Sequence, residues 1–455
     1  MKSRKQEIYN RLPMFFKNIL VTMHNLYFIH TRRSEYRSQI RKYHHAFYDL
    51  TYEEILELQN QRFMELVNFL DKHNTHYQNI LCDLEIQSID NIGKFPILTK
   101  DDLRSDSIKS DINDKLYAGY TGGTTGKSLE YALTKSDYIE RQACVDFFRG
   151  MYGYRFRDEI AWFSGKELIS DREVIKGVFW VRDYINNITY YSTFHLADSH
   201  IDKMIDNLVR TKPGFLAGFP SSIYDIARRW KSSGRPLDIN LKTIFPTSEP
   251  LLDYQKAFLI EFFDCPVPDQ YAASEGAPFI YECPHGSLHY DMYSGVFEKL
   301  NEFDTESEYL VTSFTTHYMP LVRYQIGDSF SFADKSERCN CGSSMPLVNK
   351  IIGRSVAFVY SKERGKVTVS NISNVVKYLG VINKLQLIQD DLDSITVRVV
   401  CPDCNINKIT NDLEYELRFR LGDEMKFKYE FVDHIANEAN GKFLMLKNSL
   451  SENCY

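Results

Sequence analysis

The densest chemical signal in the sequence is the stretch Tyr120-Thr121-Gly122-Gly123-Thr124-Thr125-Gly126-Lys127-Ser128. Its three glycines let the backbone turn tightly and aim several N–H groups at one anion, while the hydroxyls add donors and Lys127 adds charge. Such a cradle suits a triphosphate. The end Gly126-Lys127-Ser128 fits a Walker A loop, G-x-x-x-x-G-K-S/T, but the first glycine of that pattern would fall on Thr121. A Walker loop also runs straight into a helix, whereas Leu129-Glu130-Tyr131-Ala132-Leu133 alternates as a strand does. The competing reading is a Gly/Thr-rich hairpin turn with no ligand.

A second constellation is built from sulfur and imidazole. Cys283-Pro284-His285 and Cys339-Asn340-Cys341 offer three thiolates and one imidazole, a Cys3His set of the kind that holds structural zinc. The two pairs lie far apart in the chain, so an ion there would clip two loops together. With no open coordination position its role would be structural rather than catalytic. The alternative is a group of buried cysteines without metal. Cys401 and Cys404 form another close pair, but without partners or a thioredoxin-like context they read as incidental. Nine cysteines in no regular framework speak against disulfides and for a reducing compartment.

Downstream of the phosphate loop, four segments follow in an order that resembles the adenylate-forming superfamily. The chain is similar to its phenylacetate–CoA ligase branch, above all to relatives encoded for capsular polysaccharide biosynthesis. The likeness spans nearly the whole chain, including the basic N-terminus and KPGFLAGFPSSIYDIARRW. It implies that Thr121, Gly122, Gly123, Thr124, Thr125, Gly126 and Lys127 hold the phosphates of ATP. Residues 269–276, DQYAASEG, resemble the family's Tyr-Gly-x-Thr/Ser-Glu motif, with Ala272 in place of its glycine. The resemblance assigns Tyr271 to stacking on adenine, Ser274 to the neighbourhood of the nucleotide, and Glu275 to holding Mg2+ on the phosphates. Mg2+ takes few carboxylates and shares its shell with water and phosphate. PLVRYQIGD, residues 320–328, matches the family stretch whose final Asp accepts both ribose hydroxyls, a task suited to two carboxylate oxygens. Asp328 is that candidate, and a plain Gly-Asp turn is its alternative.

The same resemblance makes Gly353-Arg354 the opening of an interdomain hinge, with Arg354 near the nucleotide. Ser355-Val356-Ala357 stand where acidic residues usually follow, which leaves the hinge residue open. IANEANGKF, residues 435–443, resembles the segment that carries the family's catalytic lysine. Lys442 would bridge the attacking carboxylate and the α-phosphate, where a fixed ammonium offsets charge gathering in the transition state. A solvated surface lysine is the competing reading.

These residues need elements to position them. LTYEEILELQNQRFMELVNFLDKHN sets Ile55, Leu56, Leu58, Phe63, Leu66, Val67 and Leu70 at helical spacing behind Thr51 as an N-cap. From about 115 to 350 short apolar runs (FLAGFP, TIFP, SGVFEKL, YLVTSF) alternate with amphipathic stretches (HIDKMIDNLVRT, SSIYDIARRWKSSG, YQKAFLIEFF). That alternation marks an α/β domain. Beyond Gly353, three strand-like runs and the helix-like NKITNDLEYELRFRLG describe a smaller unit. The expected class is α/β: a large adenylate-forming domain with mixed sheets and a helical N-terminal extension, plus a small α+β C-terminal domain. The expected boundaries are 1–95 for the helical segment packed on the large domain, 96–352 for the rest of the ATP-binding domain, and 353–455 for a small mobile domain.

The formal charge of −6 argues against nucleic-acid binding, which asks for a basic stripe. It is nevertheless uneven. Residues 1–45 carry Lys2, Arg4, Lys5, Arg11, Lys17, Arg32, Arg33, Arg37, Arg41 and Lys42 against Glu7 and Glu35, or +8, leaving −14 for the remainder. This basic, aromatic segment either packs as helices on the large domain or lies on an anionic membrane. It is too polar for a membrane span and shows no export signal, so the expected place is the cytoplasm, or peripherally the inner face of the membrane. The expected reaction is ATP-dependent activation of a small carboxylic acid as its acyl-adenylate, with transfer to coenzyme A or another thiol, amine or hydroxyl. The alternative is a nucleotide-binding, non-catalytic assembly partner of an envelope-glycan pathway.

Overall fold

Thr51 opens the longest of the N-terminal helices with a capping box: its hydroxyl accepts the Glu54 N–H at 3.3 Å while the Glu54 carboxylate takes the Thr51 N–H at 2.8 Å. Two orphan helix donors are thereby satisfied reciprocally. The computed structural model describes residues 4–31, 34–120, 129–166, 168–248, 251, 253–300, 307–334, 336–353, 358–368, 384–401, 405–433 and 445–448, with positions 372, 375, 379, 382, 435 and 450. Helices α1 (Arg4–Arg11), α2 (Met14–Thr31), α3 (Ser34–Tyr48), α4 (Tyr52–His73) and α5 (Thr75–Cys82) make up the N-terminal segment. α4 buries Ile55, Phe63, Leu66, Val67 and Leu70, whereas Leu56 faces solvent.

Next comes a hairpin, β1 (Tyr117–Tyr120) and β2 (Glu130–Leu133), leading through a Thr134–Asp137 capping box into α6 (Lys135–Met151). A five-stranded sheet follows: β3 (Ile160–Ser164), β4 (Trp180–Asp183), β5 (Ile188–Ser192), β6 (Phe215–Gly218) and β7 (Thr243–Pro246). Its order is β4-β5-β3-β6-β7, parallel except for the β4 edge. The short helix α7 (Asp171–Ile175) precedes β4, and α8 (Asp198–Thr211), α9 (Pro220–Ser232) and α10 (Asp253–Phe263) alternate with the strands. One cluster joins Phe163, Tyr191 and Leu216 of the sheet to Met204, Trp230 and Leu259 of these helices. Gly218 is required where β6 meets β3, because a Cβ there would lie 1.8 Å from the Phe163 carbonyl oxygen.

The second sheet is antiparallel throughout. Its strands are β8 (Gln270–Tyr271), β9 (Ile280–Glu282), β10 (Leu288–Tyr290), β11 (Gly295–Lys299), β12 (Ser307–Ser313), β13 (Tyr324–Phe332) and β14 (Leu347–Gly353), in the order β11-β12-β13-β14-β10-β9-β8. Last come the hairpin β15 (Phe358–Ser361) and β16 (Gly365–Thr368), strands β17 (Lys384–Gln389) and β18 (Ser394–Val400), helix α11 (Ile406–Leu421), and strands β19 (Lys426–Phe431) and β20 (Leu446–Asn448). The four later strands pair as β19-β18-β17-β20. They share one core with α11 and the hairpin, through Val359, Val367, Leu385, Leu387, Val397, Leu413 and Leu417.

Candidate functional site

Two residues with expected nucleotide roles touch each other. The Tyr271 hydroxyl donates to Asp328 Oδ2 at 2.8 Å, and the Tyr271 ring meets Phe330 edge-on with centroids 4.7 Å apart. β8 and β13 are separated in the sheet by β9, β10 and β14. In a flat sheet that is about 19 Å, well beyond a tyrosine's reach, so the sheet curls and closes one face around this pair. Asp328 stands on an irregularity: Gln325 pairs with Leu310, and pairing resumes only at Ser329 with Glu308. Residues 326–328 thus bulge opposite Tyr309, with Gly327 at φ +74, and a bulge re-aims the side chain it carries.

The turn after Tyr271 carries Ser274, which is exposed, and Glu275, which is half-buried. It is held from behind by Arg141 of α6. One terminal nitrogen donates to the carbonyls of Gly276 at 2.8 Å and Ala277 at 3.2 Å and to the Thr315 hydroxyl at 3.0 Å. The other donates to the Ala273 carbonyl at 3.1 Å, and the guanidinium lies over the Phe279 ring. Gly276 has φ +119, and a Cβ there would strike the Thr316 methyl at 2.1 Å. Next to Thr316, the His317 ring pairs with the buried Asp137 carboxylate at 2.5 Å. Burial disfavours both charges, but their pairing outweighs it, raising the histidine and lowering the carboxyl. Sequence reasoning missed Arg141, Asp137 and His317, since a lone charge on an amphipathic helix carries no signal of what it will face.

Glu275 also acts electrostatically on the hairpin. Burial first, and the Glu275 carboxylate second in that direction, push the Tyr131 phenol up against the opposing Arg141. Tyr131 covers Gly119 so closely that a Cβ there would meet its ring at 2.5 Å. β1 and β2 pair as far as Tyr120↔Glu130, and the connection beyond exceeds the about two to five residues of an ordinary hairpin turn. The flanks are strand and strand, not the strand and helix of a Walker loop. Thr121, Gly122, Gly123, Thr124, Thr125, Gly126 and Lys127 themselves lie outside the described residues, as do Arg354 and Lys442.

The sulfur site corrects one expectation. Cys283, Cys339 and Cys341 gather with His289, not with His285, and the four ligand atoms lie within 4.8 Å of one another. In the β9–β10 hairpin the Gly286 N–H bonds back to the Cys283 carbonyl, so Pro284 and His285 form the exposed tip. His289 stands directly opposite Tyr281 in the ladder, which puts its side chain on the face shared by Tyr281 and Cys283. Its Nδ1 lies 3.3 Å from the Met345 carbonyl and its Nε2 3.4 Å from the Cys341 sulfur. Cys283 and Cys339 have their sulfurs 3.6 Å apart, too far for a disulfide. That spacing is close to the ~3.8 Å edge of a tetrahedron with zinc–sulfur bonds of about 2.3 Å. Burial pushes His289 down to about 4, keeping it neutral, and pushes Cys341 up to about 12. At Cys339 burial is outweighed by hydrogen bonds from Ser287 and the Cys341 amide, which hold its thiol down. The donor set and its spacing fit a tetrahedral ion, with an outer carbonyl fixing the imidazole tautomer.

His195 lies under the last domain. Its Nδ1 is 2.7 Å from the Ser192 hydroxyl, its ring neighbours Phe419, and the Leu196 N–H donates to the Arg364 carbonyl at 3.2 Å.

Residues 359–449 match the family described as the CapK C-terminal domain. Protein CapK of Staphylococcus aureus is 32% identical over 445 residues, covering 96% of this chain and 97% of that protein. 2-Hydroxyisobutyryl-CoA ligase in complex with 2-HIB-AMP and CoA, in the thioesterification state, superposes with a TM-score of 0.59 at 14% identity, over 89% of this chain and 92% of that one. The same ligase in the postadenylation state, in complex with R3-HIB-AMP, gives 0.55 over 89% and 91%. At such identity the likeness is one of fold, shared with 2-hydroxyisobutyryl-CoA ligase. By its kinship over nearly its full length, this chain belongs to the CapK family.

Proposed function

We propose that this chain is an ATP-dependent, adenylate-forming ligase acting on a small carboxylic acid. The acid's carboxylate attacks the α-phosphorus of ATP, pyrophosphate leaves, and the acyl group of the resulting acyl-adenylate passes to a thiol, amine or hydroxyl, coenzyme A among them. Splitting one difficult acylation into two easier steps is the reason for the intermediate. The observation that carries this reading is the Tyr271–Asp328 contact on a curled sheet, beside a clamped turn bearing Ser274 and Glu275. Tyr271 would lie against adenine and Asp328 would accept the ribose hydroxyls. The segment from Thr121 to Lys127 would hold the phosphates, with Arg354 alongside. Glu275 would hold Mg2+, which screens phosphate charge when bound. Lys442 would stabilise the α-phosphate as charge develops there. We further read Cys283, His289, Cys339 and Cys341 as a structural zinc site, clipping the β9–β10 tip to the loop before β14. A role in surface-polysaccharide assembly rests on the CapK kinship. A cytoplasmic place rests on cysteines that form no disulfide among the described residues.

The test is carboxylate-dependent exchange of labelled pyrophosphate into ATP over a panel of acids, for wild type, Asp328→Asn and Lys442→Ala. Exchange with one class of acids, reduced about 10²–10³-fold in Lys442→Ala, is the expected result. The second reading, a nucleotide-binding assembly partner without ligase chemistry, is favoured by Ser355-Val356-Ala357 in the hinge region. ATP binding by calorimetry with no exchange for any acid would support that reading instead.

A further inference from the structure

Helix α2 is inside out. Four of its polar residues face the protein: Lys17 is fully buried, pairing with Glu173 and donating to the Ser170 hydroxyl at 2.9 Å. Asn18 Oδ1 accepts the Arg182 N–H at 3.0 Å, Thr22 Oγ1 accepts the Tyr184 N–H at 3.1 Å, and Asn25 donates to the Asp183 carboxylate at 2.5 Å. Arg182 and Asp183 belong to β4, the edge of the five-stranded sheet, and an open edge is a liability that must be covered. The helix's polar stripe covers it.

The opposite face is left to water. Phe15, Phe16, Leu20, Met23 and Leu26 are each between 44% and 64% exposed. At 3.6 residues per turn they occupy one continuous half of the helix. Ile8 of α1 is exposed as well, while its neighbour Tyr9 is anchored to the Leu168 carbonyl at 3.2 Å. An apolar stripe of this extent on a helix already fixed by its polar side marks a contact surface.

Charge decides what the surface contacts. Of the ten Lys and Arg in residues 1–45, Lys17 is paired with Glu173, but Arg11, Arg37, Arg41 and Lys42 are exposed, on a chain whose remainder beyond residue 45 carries −14. A second copy meeting this face through a two-fold axis would set two such basic segments against each other. An anionic lipid surface instead offers both an apolar interior for the phenylalanines and negative charge for the cations. No helix among the described residues is long and apolar enough to cross a membrane, so the contact is one of lying on the bilayer. We propose that the outward face of α2, helped by the exposed cations of residues 1–45, docks this protein peripherally on an anionic membrane.

Sedimentation of the full chain with phosphatidylcholine–phosphatidylglycerol vesicles tests this, alongside pure phosphatidylcholine vesicles. The wild type is expected to pellet with the anionic vesicles, far less with the neutral ones, and less as salt is raised. The triple variant Phe15→Gln, Phe16→Gln, Met23→Gln is expected to lose binding by about ten-fold or more, with an unchanged thermal midpoint because these side chains already meet water. Arg37→Gln, Arg41→Gln, Lys42→Gln is expected to weaken binding and flatten its salt dependence. Wild-type protein that stays in the supernatant with anionic vesicles overturns the proposal, as does undiminished binding by the folded glutamine variant. A concentration-dependent dimer that the glutamines abolish, without vesicle binding, would assign the face to a second copy and overturn it equally.

Discussion

A buried guanidinium that spends its hydrogen bonds on backbone carbonyls is a positioning device. Arg141 fixes the carbonyls of Ala273, Gly276 and Ala277 together with the Thr315 hydroxyl, and so fixes the turn that displays Ser274 and Glu275. Lysine cannot reproduce the planar fork, and methionine would leave several buried carbonyls without a donor. Arg141→Met should therefore destabilise the fold by roughly 2–4 kcal/mol, read as a lower urea midpoint. Arg141→Lys should do less harm to stability yet still weaken ATP, raising its apparent KM by about ten-fold if the turn is part of the nucleotide site. Unchanged ATP dependence in a stable Arg141→Lys protein would show that the clamp serves packing alone. None of this was legible in the sequence. Tyr271, Glu275 and Asp328 stood out because motif spacing marked them, but a hydrogen-bonding set assembled from α6, the β8 turn and the loop after β12 has no local signature.

At the scale of elements, periodicity carried further. The FLAG of FLAGFP is β6, with its Pro220 opening α9, TIFP is β7, and KLQLIQ and SITVRVV lie on β17 and β18. Leu129–Leu133 alternates because β2 is a strand, which is why the Walker reading fails. What periodicity could not show was which strand positions face each other across a turn. The Cys-x-His pair looked like one ligand unit, yet in a hairpin the residue two beyond Cys283 sits at the tip, and the imidazole that returns to the same face is His289. This correction has a sharp consequence. Protein purified without chelator should contain stoichiometric zinc, and His289→Ala or Cys339→Ser should lose it together with several degrees of Tm. His285→Ala should keep both. Metal analysis by plasma emission separates the two histidines, and zinc lost with His285 but retained without His289 would refute the tetrahedral set. The bulge that turns Asp328 is a second case: Gly327-Asp328 read as a possible simple turn, and only the shifted β12–β13 register reveals a strand interrupted to aim a carboxylate.

Across the whole molecule, the C-terminal domain meets the rest of the chain through a contact that includes one imidazole, His195. Phe194 and His195 contact Phe419, Arg420 lies over the Phe194 ring, and the Leu196 N–H bonds to Arg364. Burial first, then the Arg364 guanidinium and His200, hold His195 far below the ordinary histidine range. The facing groups are therefore Arg364 from the β15–β16 turn, Phe419 from α11, and Ser192 and His200 from the large domain's own chain. Arg364 and Phe419 belong to the smaller domain, so separating the two domains rehydrates the imidazole and lets its pKa rise. A group depressed in the docked state takes up its proton on separation. Docking is thus fully favoured at pH values above about 6.5 and loses free energy progressively as pH falls below that value. Small-angle scattering should show a larger radius of gyration at pH 5 than at pH 7.5, with far-UV dichroism unchanged. His195→Gln keeps a hydrogen-bonding partner for Ser192 but cannot titrate, and its radius should not respond to pH over this interval. If the variant expands on acidification as the wild type does, the pH response belongs to other groups. If neither expands, the contact between the domains is strong enough to keep His195 neutral throughout. The comparison therefore measures how firmly this sequence holds its smaller domain against the face that bears His195.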